Sequence, residues 1–76
     1  MALTEALALE VRAAAEDQNL TISELSHKAG TLKITMQRYL SSTRAIPLET
    51  LDRIAAVLHL RGSELVARAE QRTHRS

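Results

Sequence analysis

Lys33, Ile34, Gln37, Arg38 and Ser41 follow one another at offsets of one, four, five and eight residues from the first. At roughly 100° per residue these five fall on one arc of a helix, while Leu32, Thr35, Met36, Tyr39 and Leu40 fall on the complementary arc. The second set is the expected core stripe, with the Tyr39 ring filling the core and its hydroxyl at an edge. The first set combines two cations, an amide, a hydroxyl and one aliphatic tip. Such side chains suit the base edges of a major groove. Lys and Arg donate to guanine O6 and N7, Gln pairs bidentately with adenine, and an aliphatic tip meets the thymine methyl. The alternative is an ordinary solvated face, which more often mixes Glu with Lys and avoids an exposed isoleucine.

The distribution of charge favours the first reading. The sum over 76 residues is only +1. Residues 1–24 carry five acids against Arg12, a net of −4. Residues 25–48 carry Lys28, Lys33, Arg38 and Arg44 with no acid, a net of +4. Residues 49–76 return to +1, with five arginines against four acids. A basic island in a balanced chain is the pattern of a surface that meets phosphate, chance segregation in a short chain being the alternative.

Other chemistries find little support. There is no cysteine, which removes disulfides and thiolate metal sites. His27, His59 and His74 lack ligand spacing, and no nucleophile elbow, carboxylate pair with a nearby base, or phosphate-cradling glycine loop is present. The sequence therefore implies neither an enzyme nor a cofactor, metal or small-molecule ligand. Tyr39 is the sole aromatic residue, so base-stacking modules for single strands are disfavoured. The apolar runs are too short to span a bilayer, and the opening Met1-Ala2-Leu3-Thr4-Glu5 has no basic n-region. No membrane association is expected, and the absence of cysteine permits a reducing cytoplasm.

Five helices are needed to hold that face. The first is predicted from about Thr4, its cap, to Gln18, with Leu3, Leu7, Val11 and Ala14 inward and Leu9 exposed off the stripe. Asn19-Leu20 makes a turn, since Asn tolerates the left-handed conformation. Thr21-Ile22-Ser23-Glu24 reads as a capping box that opens a second helix to about Ala29, with Leu25 and Ala29 inward. Gly30 ends it, and the third helix runs from about Lys33 to Ser41. A polar loop over Ser41–Ile46 leads to Pro47 at the start of a fourth helix, with Leu48, Leu51, Ile54, Ala55 and Leu58 on one face. That helix ends near His59. A fifth spans about Gly62 to Gln71 through Leu65, Val66 and Ala69, with Arg61, Arg68, Arg72 and Arg75 interleaved with acids as a solvated face. The expectation is a single domain over residues 1–76, its core about 3–71 and its tail, 72–76, frayed.

In order and spacing this chain resembles the lambda-repressor-like (Cro/C1, or XRE-type) helix-turn-helix proteins. Leu20-Thr21-Ile22-Ser23-Glu24-Leu25-Ser26-His27-Lys28-Ala29-Gly30 looks like their first helix and turn. Thr31-Leu32-Lys33-Ile34-Thr35-Met36-Gln37-Arg38-Tyr39-Leu40 resembles the recognition helix. Ile46-Pro47-Leu48-Glu49-Thr50-Leu51, with Ile54, Ala55 and Leu58, resembles the fourth helix. The resemblance covers about Leu7 to Leu65. It implies an all-α, compact five-helix DNA-binding domain with the helix-turn-helix at helices 2 and 3. Carried over by position, Lys33, Ile34, Gln37 and Arg38 read bases, and Thr21, Ile22, Ser41, Ser42, Thr43 and Arg44 meet the backbone.

The chain departs from the family at several places. Ile22 stands where a phosphate-clamping glutamine is frequent. Ser26 replaces a small apolar residue and needs a hydrogen bond, for which a carbonyl one turn back is the expected acceptor. His59 replaces a glycine and should form a strained cap. Ala15 and Leu40 stand where several relatives carry an Arg–Glu ion pair, so hydrophobic contact is expected in its place. The implied function is sequence-specific recognition of double-stranded DNA by a phage or bacterial repressor acting by operator occupancy, as a monomer or a homodimer. The expected dimer surface is a set of exposed apolar residues near Leu60 to Val66. The rival reading is a protein-interaction module, an antitoxin or adaptor, gripping its partner through Leu9 and Ile34.

Overall fold

The structure, a computed structural model, describes residues 1–74. Arg75 and Ser76, which include one of the arginines assigned to the solvated face and the end of the tail expected to fray, lie outside the described residues. The described residues form five helices and no strand: α1 (Leu3–Asp17), α2 (Ile22–Lys28), α3 (Lys33–Leu40), α4 (Leu48–Val57) and α5 (Gly62–His74). No helix among them is long and apolar enough to cross a membrane.

One core joins all five. Val11, Leu25, Met36, Ile54, Leu58 and Leu65 are its large, fully buried side chains. Three helices have ten or fewer residues and would be marginal alone, so packing into this core is what holds them. α1 and α5 pack together most extensively and form the platform, tied further by the Arg72–Glu10 ion pair. Arg72 therefore leaves the solvated face assigned to it, because the last turn of α5 runs back along α1. Gln18 Nε2 donates to the carbonyl of Leu58 at 2.7 Å and joins the C-terminal ends of α1 and α4.

Several inward assignments need correction. α1 begins one residue earlier than expected, with Ala2 as its cap and the Ala2 amide donating to Glu5 Oε1 at 3.4 Å, so Thr4 lies within the first turn. Its buried face is made largely of alanines, Ala6, Ala8, Ala14 and Ala15, around Val11. Leu3 is exposed and Leu7 half-buried; Leu9, expected to be free, is also half-buried. Alanine lets α5 approach closely, and the larger leucines fall at the margin. Leu32 is the cap residue of α3 and Leu48 the first residue of α4, where the stripe has not yet turned onto the core, and they are 73% and 80% exposed. Leu65 is wholly buried and Leu60 and Val66 pack against the core, so the stretch from Leu60 to Val66 does not present the exposed apolar surface expected of it.

The first four helices end in the same way. The amides of Leu20, Thr31, Thr43 and Leu60 donate to carbonyls five residues back, on Ala15, Ser26, Arg38 and Ala55, at 2.9, 2.9, 3.0 and 2.8 Å. Each donor follows a residue with positive φ: Asn19 (56°), Gly30 (68°), Ser42 (64°) and His59 (59°). This is the Schellman closure, which satisfies the orphan carbonyls of the last turn and reverses the chain within two residues. The strained cap at His59 and the left-handed Asn19 and Gly30 match expectation. Ser42 does not, because nothing in a polar loop marks which residue must turn left-handed. A side chain there costs about 1 kcal/mol relative to glycine. His59→Gly should therefore raise the free energy of unfolding by about 1 kcal/mol. A Cβ on Gly30 would meet nothing within 4 Å, so Gly30→Ala should lower stability through backbone strain alone, by about 1 kcal/mol, and Gly30→Asn by less. Urea titration of the three variants checks the order.

Candidate nucleic-acid interface

α3 is held from behind. Met36, Tyr39 and Leu40 are buried, and Thr35 lies half-buried beside them. Lys33, Ile34, Gln37, Arg38 and Ser41 are all exposed, with Ile34 at 53%. The two faces expected from the spacing are thus present, Leu32 excepted. Ala15 and Leu40 both belong to the buried apolar cluster and line one recess with Leu20 and Leu25, which Arg12 and Glu16 also border.

The turn between α2 and α3 sets the angle at which that face is offered. α2 is opened by the Thr21–Glu24 capping box. The Glu24 amide donates to Thr21 Oγ1 at 3.1 Å and the Thr21 amide to Glu24 Oε1 at 3.0 Å. The Thr21 amide, and next the Thr21 hydroxyl, favour the charged carboxylate and hold Glu24 below its ordinary value of 4.5, with Lys28 adding attraction. Ser26 Oγ donates to the carbonyl of Ile22 at 2.6 Å, the bond expected for a hydroxyl at a core position. Arg53 of α4 then reaches across. Its Nε donates to the carbonyl of Ala29 at 3.1 Å, bringing a cation to the C-terminal end of α2. Its Nη2 lies 3.4 Å from Thr50 Oγ1. The sequence assigned Arg53 no role, since a contact across 24 positions has no one-dimensional signal.

Electrostatically the face is open. Among the described residues Lys33, Arg38 and Arg44 have no ion-pair partner. The loop after α3 is more self-contained. Ser41 Oγ donates to the carbonyl of Arg38 at 3.2 Å and lies 2.9 Å from Thr43 Oγ1. With the single Ser41 proton so used, the Thr43 hydroxyl is the donor of that pair. The amides of Ser41, Ser42, Thr43 and Arg44 also bond within the turn. Donors left for an outside phosphate are the Arg44 guanidinium and the Ser42 hydroxyl. At α2, the amides of Ile22 and Ser23 precede the first intrahelical bond and have no partner within the helix.

A larger groove, about 660 Å³, lies elsewhere, between α4 and α5. Leu48, Leu51 and Val66 line it beneath Glu49, Asp52 and Glu70, with no base among its lining residues. Three acids around an apolar floor repel phosphate, so size does not make this the nucleic-acid site. α1 contributes a residue not foreseen: Arg12 lines an open cleft with Ile22, Gln37, Leu40 and Ser41. By position in the chain it had been counted with the acidic segment.

Comparison with known proteins agrees with this geometry. The sequence matches the Cro/C1-type HTH DNA-binding domain over residues 10–70. The chain belongs to the Cro/C1-type helix-turn-helix family. It is accordingly a DNA-binding domain of that type, and the match takes in α2, α3 and the buried faces that hold them. Two crystal structures of the clp gene regulator ClgR from Corynebacterium glutamicum share its fold. One has a TM-score of 0.89 at 18% identity, over 95% of this chain and 77% of that one. The other has a TM-score of 0.90 at 17% identity, over 100% and 99%. At such identity the likeness is one of fold. No curated protein matches the chain.

Two outcomes follow for this Cro/C1-type domain. Because the folded pKa of Glu24 is depressed, its contribution to stability is complete above the unfolded value and lost as pH falls through the folded one. Glu24→Gln should therefore flatten the acid limb of the stability–pH curve below about pH 4.5 while leaving its slope near neutrality unchanged. Arg53→Met, which keeps the stem and removes the donors, should cost about 1 kcal/mol in denaturant unfolding and speed hydrogen exchange at Gly30 and Thr31.

Proposed function

We propose that this domain is a sequence-specific regulator that represses transcription by occupying an operator in duplex DNA, in a bacterial cytoplasm or a phage-infected host. The observation that carries the reading is the exposed, acid-free face of α3, fixed by three buried residues on its other side. A helix about 10–12 Å across fits a major groove about 12 Å wide. In that pose Lys33 and Arg38 donate to guanine edges, Gln37 pairs with adenine, and Ile34 meets a thymine methyl. Arg44 takes the main backbone contact of the following loop, with Ser42 beside it, because the Ser41 and Thr43 protons are engaged within the turn. The α2 end near Thr21 and Ile22 offers its free amides to another phosphate. A homodimer on two half-sites one helical turn apart would follow the usual pairing of such domains.

Selection from genomic fragments followed by footprinting would define the site. On it, Lys33→Ala and Arg38→Ala should each cost about 1–3 kcal/mol and relax preference at one position. Log affinity should fall linearly and steeply with log salt, as release of counterions from several phosphates requires. Wild-type affinity in both variants would remove α3 as the reader. Tight binding of a protein partner that is indifferent to salt would favour the interaction-module reading instead.

A further inference from the structure

Arg12 stands near the middle of α1, exposed, in a segment whose other charges are all negative. The fold gives it neighbours from other helices as well. It shares an open cleft of about 200 Å³ with Ile22 of α2 and with Gln37, Leu40 and Ser41 at the end of α3. Three helices thus bring one guanidinium beside the border of the reading face.

The other groups of the cleft cannot replace it as an anion donor. Ile22 and Leu40 have apolar side chains, and the Ser41 proton is given to the carbonyl of Arg38. Gln37 is neutral and belongs to the base-reading arc. Arg12 has no ion-pair partner among the described residues. Glu16, which lines the adjoining recess with it, lies one turn later in the less favourable order for a helical pair. An exposed pair of this kind is worth little and would yield readily to a phosphate.

We propose that Arg12 is a DNA-backbone-binding residue that takes one phosphodiester oxygen at the wall of the groove entered by α3. The inference rests on the DNA reading of α3. A helix nearly as wide as the groove leaves its neighbours against the sugar-phosphate walls, so a cation at the margin of the face meets phosphate and not a base edge. The contact adds affinity and register without adding sequence preference.

The test is fluorescence anisotropy on a short mixed-sequence duplex, from about 50 to 200 mM salt. It compares wild type, Arg12→Gln, Arg12→Lys and, as a control for lost charge, Arg68→Gln on α5, each checked for its melting curve. Arg12→Gln should weaken binding roughly fivefold at the lowest salt and reduce the slope of log affinity against log salt by about one. Arg12→Lys should keep the wild-type slope, and Arg68→Gln should change neither quantity as much. If the wild type binds and Arg12→Gln keeps both its affinity and its slope, or if Arg68→Gln loses as much, the Arg12 contact is overturned while the DNA reading stands. If the wild type binds no duplex at the lowest salt, the DNA reading itself fails and the Arg12 contact with it.

Discussion

Everything the surface of this domain can do depends on how an eight-residue helix is clamped by one face. α3 is too short to persist alone, since nucleation consumes most of what so few hydrogen bonds return. Its stability is borrowed from Met36, Tyr39 and Leu40, each of which gains about 1.5–3 kcal/mol on burial. The same burial fixes rotation about the helix axis. A slip of one residue would turn each side chain by roughly 100° and carry Lys33 and Arg38 off the offered face.

The chain reaches that arrangement through abrupt helix ends. Four successive helices close with the same left-handed residue and the same five-residue bond, which keeps the connections short enough for a small core to hold them. Only Gly30 adopts that conformation without strain; Asn19 tolerates it, and Ser42 and His59 hold it against their own preference. Arg53 complements the closure at Gly30 by satisfying the preceding carbonyl of Ala29 from α4. The turn that leads into α3 is therefore braced from α4, a helix that does not adjoin α2 in sequence.

Charge is arranged in space by a different rule from its order along the chain. Lys33, Arg38 and Arg44 keep company in both, because one short helix and its loop carry them all. Arg12, beside Glu16 on α1, also borders the end of α3 that carries Gln37 and Ser41. Glu49, Asp52 and Glu70, spread over 22 positions, converge on the rim of one groove. The result is a molecule of nearly zero net charge with a basic end and an acidic groove, suited to orienting on a polyanion while binding it only moderately.

Local chemistry written in consecutive residues was legible from the sequence. The Thr21–Glu24 box, the turns at Asn19 and Gly30, the strain at His59, the Ser26 bond and the two faces of α3 all depend on neighbours within about one or two helical turns, where the backbone leaves little choice. The order of five helices and the family resemblance followed from the same short-range pattern. Tertiary packing alone decided which margin of each apolar stripe was covered: alanines and not Leu3 on α1, and neither Leu32 nor Leu48 at the helix starts. Periodicity defines an arc, but the neighbour's distance and angle determine how much of it loses water. Packing alone also brought Arg12 to α3, Arg53 to Ala29 and Arg72 to Glu10, since long cationic side chains have many rotamers and choose among them only when a partner from a distant stretch of chain is already in place.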